Sequence, residues 1–106
     1  MNMQLYLKGV LEGSAKTRDE HLQRAQTIQA AIHQRFGVRN PEHWQVKCLR
    51  WFLVEHAATY TPDTRYKYAL TVRLIAIRRG RWTDWEVHLR GPWRWPLGRP
   101  GRRKRS

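Results

Sequence analysis

A helix-start signal that recurs along the chain is the strongest constraint on its fold. A Thr or Asn able to cap a helix precedes acidic residues or proline at four points, Thr17, Asn40, Thr61 and Thr83. Such side chains accept a hydrogen bond from a free amide of the first turn, and proline is tolerated at the first helical position. We therefore expect four capped helices in an all-α fold.

Apolar residues recur at steps of three and four after these starts, which is the pattern of a helix with one buried face. Gly37 and Gly80 follow two of the apolar runs as natural helix ends. The predicted helices cover residues 18–36, 40–58, 61–79 and 83–91. Residues on the strongest apolar faces are expected to form the core: Trp51, Phe52, Leu70 and Leu74.

The chain is thereby divided into three parts. Residues 17–91 are predicted to form a small helical bundle of three main helices and a short fourth. Residues 1–16 are an N-terminal element whose apolar residues fit either a strand or a helix. Residues 92–106 are a tail rich in Trp, Arg and Pro. The tail is expected to be disordered, since its like charges repel and Gly and Pro disfavour regular structure.

Positive charge bears on the partner rather than on the fold. Lys and Arg total 21 against 8 Asp and Glu, and residues 78–106 alone hold ten basic and two acidic side chains. A protein that places cations along phosphates releases counterions and gains affinity. The charge therefore favours nucleic acid as the partner.

No group of residues in the sequence predicts an active site or a metal site. The five histidines never stand three or four residues apart, and Cys48 is the single cysteine. The acids lie mainly at helix starts, and no glycine-rich phosphate loop occurs. We expect no enzymatic activity, no catalytic residue, no metal and no cofactor.

The sequence also bears on localisation. No apolar run approaches the ~18 residues that a membrane span requires, and the first residues lack the features of a signal peptide. We expect a cytoplasmic protein with no membrane partner, which is associated with the nucleoid if it binds DNA.

Residues 44–82 hold two motifs in succession. The first, W-Q-V-K-C-L-R-W-F-L, ends in an aromatic–Leu pair; the second, T-P-D-T-R-Y-K-Y-A-L-T-V-R-L-I-A-I-R-R-G-R-W, opens on Thr-Pro-x-Thr. Together they resemble the SAM-like N-terminal core-binding domain of tyrosine recombinases and phage-type integrases. The matching residues are Trp51, Phe52, Leu53, Thr61, Pro62, Thr64, Arg65, Tyr68, Leu70 and Gly80.

The resemblance implies a function, because in that family this domain clamps duplex DNA opposite the catalytic domain. It makes Thr61, Thr64, Arg65 and Lys67 candidate phosphate contacts near a helix N-terminus, where backbone amides also attract anions. The chain ends where the family's catalytic domain would begin, so we expect DNA binding without recombinase activity. The segment that starts at His21 has the family's His-x-x-Arg spacing but lies far upstream, and we interpret it as coincidence.

Two further groups of cations complete the predicted interface. One lies on the third helix and the turn after it: Arg73, Arg78, Arg79 and Arg81. The other lies in the tail: Arg99, Arg102, Arg103, Lys104 and Arg105. The fragment Gly98-Arg99-Pro100 is also similar to the core of an AT-hook, which lays Arg along the minor groove of A·T-rich duplex.

Three functions are compatible with these features. The leading one is a non-catalytic protein that binds duplex DNA and is associated with mobile DNA by resemblance. The second is an RNA-binding or ribosome-associated protein, because Trp and Arg also suit irregular RNA. The third is an interaction module or inhibitor whose basic face meets an acidic protein.

Overall fold

This computed structural model describes residues 3–11, 13–89 and 91. Within these ranges the chain forms five α-helices and two short 3-10 turns. The α-helices are α1 (Met3–Tyr6), α2 (Ala15–Phe36), α3 (Val46–Val54), α4 (Pro62–Arg78) and α5 (Trp82–Leu89). The 3-10 turns are Pro41–His43 and His56–Thr59. No strand occurs within these ranges, and the all-α prediction is confirmed.

The longest helix, α2, is capped by Ser14 and not by Thr17. Ser14 Oγ accepts a hydrogen bond from the backbone amide of Thr17 at 3.2 Å. The predicted cap is wrong because Ser14 offers the same kind of oxygen three residues earlier, which places Thr17 inside the first turn. The predicted end is confirmed: Gly37 has a φ of 73°, and its amide donates to the His33 carbonyl.

The second predicted helix is interrupted after one turn. Asn40 acts as a cap, as predicted, because its side chain accepts from the Glu42 amide at 3.0 Å. The chain then runs extended through Trp44 and Gln45 before α3 begins at Val46. Trp44 is completely buried. Its burial removes a large aromatic surface from water, which stabilises the extended segment in this position.

The predicted N-terminal cap is confirmed for α4 but not for α5. Thr61 caps α4 as predicted, and its side chain accepts from the Thr64 amide at 3.2 Å. The predicted Thr83 cap is wrong, since α5 begins at Trp82. The Arg81 carbonyl accepts from the Trp85 amide at 2.8 Å. Arg81 therefore occupies the capping position, and Thr83 lies in the first turn.

A single hydrophobic cluster joins the five helices. α3 contacts α2, α4 and α5, and α1 packs on α2. Buried residues from every helix contribute to the cluster: Met3, Tyr6, Ile28, Ile32, Leu49, Phe52, Leu53, Val72, Ile75 and Leu89. Residues 3–11, whose structure the sequence leaves open, therefore belong to the packed core through their buried side chains.

The side of α4 that enters the core lies at the edge of the predicted apolar stripe and not at its centre. Phe52 is buried as predicted, but Trp51, Leu70 and Leu74 are only half-buried. Small and β-branched residues of α4 are buried instead: Ala69, Thr71, Val72, Ile75 and Ala76. The helix is apolar around much of its circumference, so periodicity alone does not select the inward face. The two alanines allow closer approach of neighbouring helices than leucines would.

Candidate nucleic-acid interface

The predicted phosphate contacts lie at the two ends of α4. Thr61, Thr64, Arg65 and Lys67 belong to its first turns, whereas the arginines from Arg73 onward belong to its last turns and the loop after it. The helix has 17 residues and is therefore about 26 Å long. The structure does not gather these residues into one patch but separates them into two groups.

The first group has an exposed edge. Thr61 is exposed, and its hydroxyl donates to Thr64 Oγ1 at 2.9 Å. Lys67 Nζ lies 3.4 Å from Asp63 Oδ2, and both side chains are mostly exposed. An exposed pair of this kind contributes only about 0–1 kcal/mol, so Lys67 can exchange its carboxylate for a phosphate at little cost.

Arg65, in contrast, is committed to the fold. Its Nε and Nη2 atoms donate to the Ala57 carbonyl at 3.3 and 3.1 Å. Ala57 is buried within the 3-10 turn that precedes α4. The side chain thus closes this turn against the helix, which is a structural role that the phosphate prediction does not include.

Arg78 and Arg79 also hold distant backbone in place. Arg78 Nε donates to the Tyr6 carbonyl at 2.7 Å, and its guanidinium lies 4.7 Å from the centroid of the Tyr6 ring. Arg78 Nη1 is 3.7 Å from Glu42 Oε2. Arg79 Nη2 donates to the Trp44 carbonyl at 3.4 Å. These arginines therefore connect the end of α4 to α1 and to the loop before α3.

Two arginines of α4 lie over tryptophans of α5. The guanidinium of Arg73 is 5.6 Å from the centroid of Trp82, and that of Arg79 is 5.6 Å from Trp85. The Nε atoms of both arginines are buried without a hydrogen-bond partner. Attraction between a guanidinium and an indole face compensates part of that loss. These two contacts pair the C-terminal end of α4 with α5.

Arg81 completes a group that we name the α4–α5 basic surface, defined as Arg73, Arg78, Arg79 and Arg81. Arg81 Nη1 lies 3.8 Å from Asp84 Oδ2, and both side chains are mostly exposed. Together with Glu42, Asp84 is one of the two carboxylates that pair with this surface among the described residues. The surface therefore keeps a net positive charge.

The remaining predicted contacts lie outside the described residues: Arg99, Arg102, Arg103, Lys104 and Arg105. The predicted disordered tail and the AT-hook-like fragment lie there as well. In the sequence this basic segment follows α5, the helix whose Trp82 and Trp85 lie beside Arg73 and Arg79.

A polar cluster between α2 and α4 is a feature that sequence reasoning missed. His21 Nδ1 lies 2.9 Å from the hydroxyl of Thr71, and Arg24 Nε donates to the same hydroxyl at 2.9 Å. Thr71 is completely buried. The spacing of His21 and Arg24 places both on one face of α2, but their shared partner on α4 is fifty residues away from His21 in sequence.

The cluster favours a neutral histidine. Arg24 Nη2 is 3.4 Å from His21 Nδ1, and because an arginine can only donate, the two atoms form a hydrogen bond only when that nitrogen carries no proton. Burial and, to a lesser extent, the Arg24 charge lower the pKa of His21. Protonation would place two cations side by side in a half-buried site.

This arrangement predicts a pH-dependent stability. The unfolded chain protonates His21 near its ordinary pKa of 6.5, before the folded chain does, so the contribution of neutral His21 is present above that pH and is lost as pH falls through the folded pKa. Urea unfolding of the wild type and of His21→Gln between pH 5 and 8 measures the difference. We expect the stability of the wild type to fall more steeply with acidification, by at most about 1.4 kcal/mol per pH unit. Parallel curves would contradict the assignment.

The described residues contain no group of three or more His, Cys, Asp or Glu side chains that could hold a metal ion. Within the same ranges, no helix combines the length and the apolar character needed to cross a bilayer. Cys48 is buried.

Comparisons with protein-family models, with curated proteins and with solved structures found no match to this chain.

Proposed function

We propose that this is a non-catalytic DNA-binding protein that contacts duplex DNA through the α4–α5 basic surface, the exposed start of α4 and the Arg-rich tail. The observation that carries the proposal is the α4–α5 basic surface itself. It holds four arginines within nine residues of sequence, and two of them lie over indole rings. Guanidinium groups held in this way present fixed positive charge to a phosphate backbone.

The two ends of α4 support a duplex as the partner. They are separated by about 26 Å, which is less than one helical turn of B-DNA at about 34–36 Å. Lys67 near one end and Arg81 beyond the other are exposed and paired only with exposed carboxylates. Each can therefore contact a phosphate without disturbing the core.

The resemblance to the integrase core-binding domain supports the same partner. It places duplex contacts at the start of the helix that corresponds to α4, where Thr61 and Thr64 have exposed or half-exposed side chains. We accordingly propose a core-binding-like module associated with mobile DNA and located at the nucleoid. Arg65 is excluded from the proposed contacts because two of its guanidinium nitrogens donate to the Ala57 carbonyl, whereas Arg78 and Arg79 each use one nitrogen to hold a carbonyl.

A competition experiment tests the proposal. Labelled duplex DNA bound to the protein is challenged with unlabelled duplex, single-stranded DNA and structured RNA, and we expect duplex to compete best. Stronger competition by RNA would favour the RNA-binding alternative, and no binding to any of the three would favour an acidic protein partner.

A paired-variant experiment tests the surface. Lys67→Gln with Arg81→Gln is expected to reduce the slope of log affinity against log salt by about 1.8, or 0.9 for each lost phosphate contact. The charge-matched control is Lys16→Gln with Arg39→Gln, which removes one exposed cation in the first turn of α2 and one in the loop after it. Equal slopes for the two variants would overturn this choice of surface.

A further inference from the structure

The half-buried Trp51 separates two shallow depressions on the α2–α3 side of the molecule. It lies on the face of α3 that also carries Lys47, Arg50 and Val54. Each depression has a volume of about 280 Å³. Residues of α2 line the first together with Trp51 and His56: Ala31, Gln34 and Arg35. Residues along α3 and just after it line the second together with Trp51: Lys47, Arg50, Val54 and Glu55.

Neighbouring rings contact the Trp51 indole and leave part of the side chain exposed. The Phe36 ring meets it nearly at right angles with centroids 5.6 Å apart, and the His56 ring lies 5.8 Å away at a tilt. Phe36 in turn lies 4.9 Å from the guanidinium carbon of Arg35. A large aromatic side chain that is held in one orientation and still reaches solvent is a preformed stacking surface.

Positive charge lies on both sides of this indole. Arg35 borders the first depression, and Lys47 and Arg50 border the second, whereas Glu55 is the single carboxylate among their lining residues. Arg35 and Lys47 are exposed. Arg50 Nη1 donates to the His88 carbonyl at 2.6 Å, so this charge is fixed at the junction with α5.

We propose that Trp51 is a stacking site for an unpaired base of single-stranded nucleic acid, with the flanking phosphates contacted by Arg35 and Lys47. An aromatic ring with cations on both sides is the combination that binds single strands without regard to sequence. Depressions of about 280 Å³ lie just below the range of drug-sized ligand sites, which suits one flat base. Bases of an intact duplex are stacked on each other and cannot reach the indole.

This site is distinct from the proposed duplex-binding surface, because it belongs to α2 and α3 rather than to α4 and α5. The chemistry is the same for DNA and RNA single strands, so both are tested. Anisotropy titrations at one salt concentration use labelled oligo-dT, oligo-U and a duplex of equal length, with the full chain.

Trp51→Ala is expected to weaken single-strand binding by about 5- to 150-fold and to leave duplex binding within twofold. Trp51→Phe keeps a ring and should restore part of the affinity. Unchanged binding of both single strands by Trp51→Ala would overturn the proposal. Loss for oligo-dT alone or for oligo-U alone would support the site and identify the strand that it prefers.

Arg35→Gln with Lys47→Gln tests the charges independently of the indole. Its charge-matched control is Lys8→Gln with Lys16→Gln, two exposed lysines at the other end of α2 and before it. The first pair should reduce the single-strand salt slope by about 1.4, or 0.7 for each contact, and the control should not. Equal slopes for the two pairs would count against the proposal.

Photocrosslinking keeps the site testable if Trp51→Ala fails to fold. The wild-type protein is irradiated with oligo-dT, and the crosslinked peptide is identified by mass spectrometry. A crosslink within α3 is the expected result, and crosslinks only at α5 or beyond would overturn the proposal. If the wild-type protein gives this crosslink but does not bind duplex DNA, the proposed function alone is rejected.

Discussion

Phe52→Ala is expected to lower the free energy of unfolding by about 3–5 kcal/mol, a large part of the stability of a domain whose total lies near 5–15 kcal/mol. Phe52 is completely buried at the centre of the core. Its ring stacks on His56 with centroids 4.8 Å apart and lies 5.4 Å from Tyr68. Truncation removes these contacts and leaves a cavity that the surrounding helices fill only partly.

Leu70→Ala is the control for this prediction. Leu70 lies on α4 but is only half-buried, so its truncation should cost about 1 kcal/mol, near the centre of measured single substitutions. Urea unfolding of the two variants gives both values. Equal losses of about 3 kcal/mol or more would mean that the α4 face carrying Leu70 is packed as tightly as the core.

The contrast between these two residues shows how much of the fold the sequence predicts. Helix starts such as Asn40 and Thr61 depend on local chemistry, because the cap bonds within three residues, and they were predictable. The inward face of α4 was not, since Leu70 and Val72 both belong to plausible apolar stripes. Selection between them depends on how closely α4 approaches its neighbours through Ala69 and Ala76, which is a property of the packed molecule.

Removal of residues 98–106 is expected to leave the helical fold intact and to weaken duplex binding strongly. The segment carries five of the basic side chains. Each phosphate that it neutralises contributes about 0.9 to the magnitude of the salt slope, so full engagement changes the slope by about 4–5 units. Titrations of full-length and truncated protein at several salt concentrations measure this change, and thermal melts check the fold.

A full-length variant with all five of these cations changed to Gln separates charge from length. It should match the truncated protein in salt slope, because phosphate neutralisation depends on charge. Coincident slopes for the wild type and both variants would make the tail a solubilising end. A preference for A·T-rich duplex that only the wild type shows would support the minor-groove reading of Gly98-Arg99-Pro100.

The candidate site was predictable in composition but not in detail. The basic, Trp-containing character of the chain is visible in the sequence, as are Thr61 and Lys67 at an exposed helix start. The structural use of Arg65, Arg78 and Arg79 is not, because each bonds to a main-chain carbonyl, and a carbonyl has no sequence signature. The sequence likewise predicts that Trp51 lies in the core, because it stands on an apolar helix face. That position does not show whether its ring also reaches solvent.

The same structural role recurs among the arginines. Four arginines each donate to a main-chain carbonyl within a short helix or 3-10 turn, or just after one: Arg50, Arg65, Arg78 and Arg79. The elements concerned are α1, α5 and the two 3-10 turns, and segments of that length do not persist in water by themselves.

Some of the positive charges of this molecule are therefore required by its secondary structure. A redesign could replace these arginines to suppress non-specific binding or to lower the isoelectric point. It would remove the hydrogen bonds that hold the short segments against the other helices. Lysine would preserve the charge but not the planar, multi-donor head that Arg65 uses to reach one oxygen with two nitrogens. A positive charge can be removed without loss of stability only where the side chain ends in solvent, as at Lys67 and Arg81.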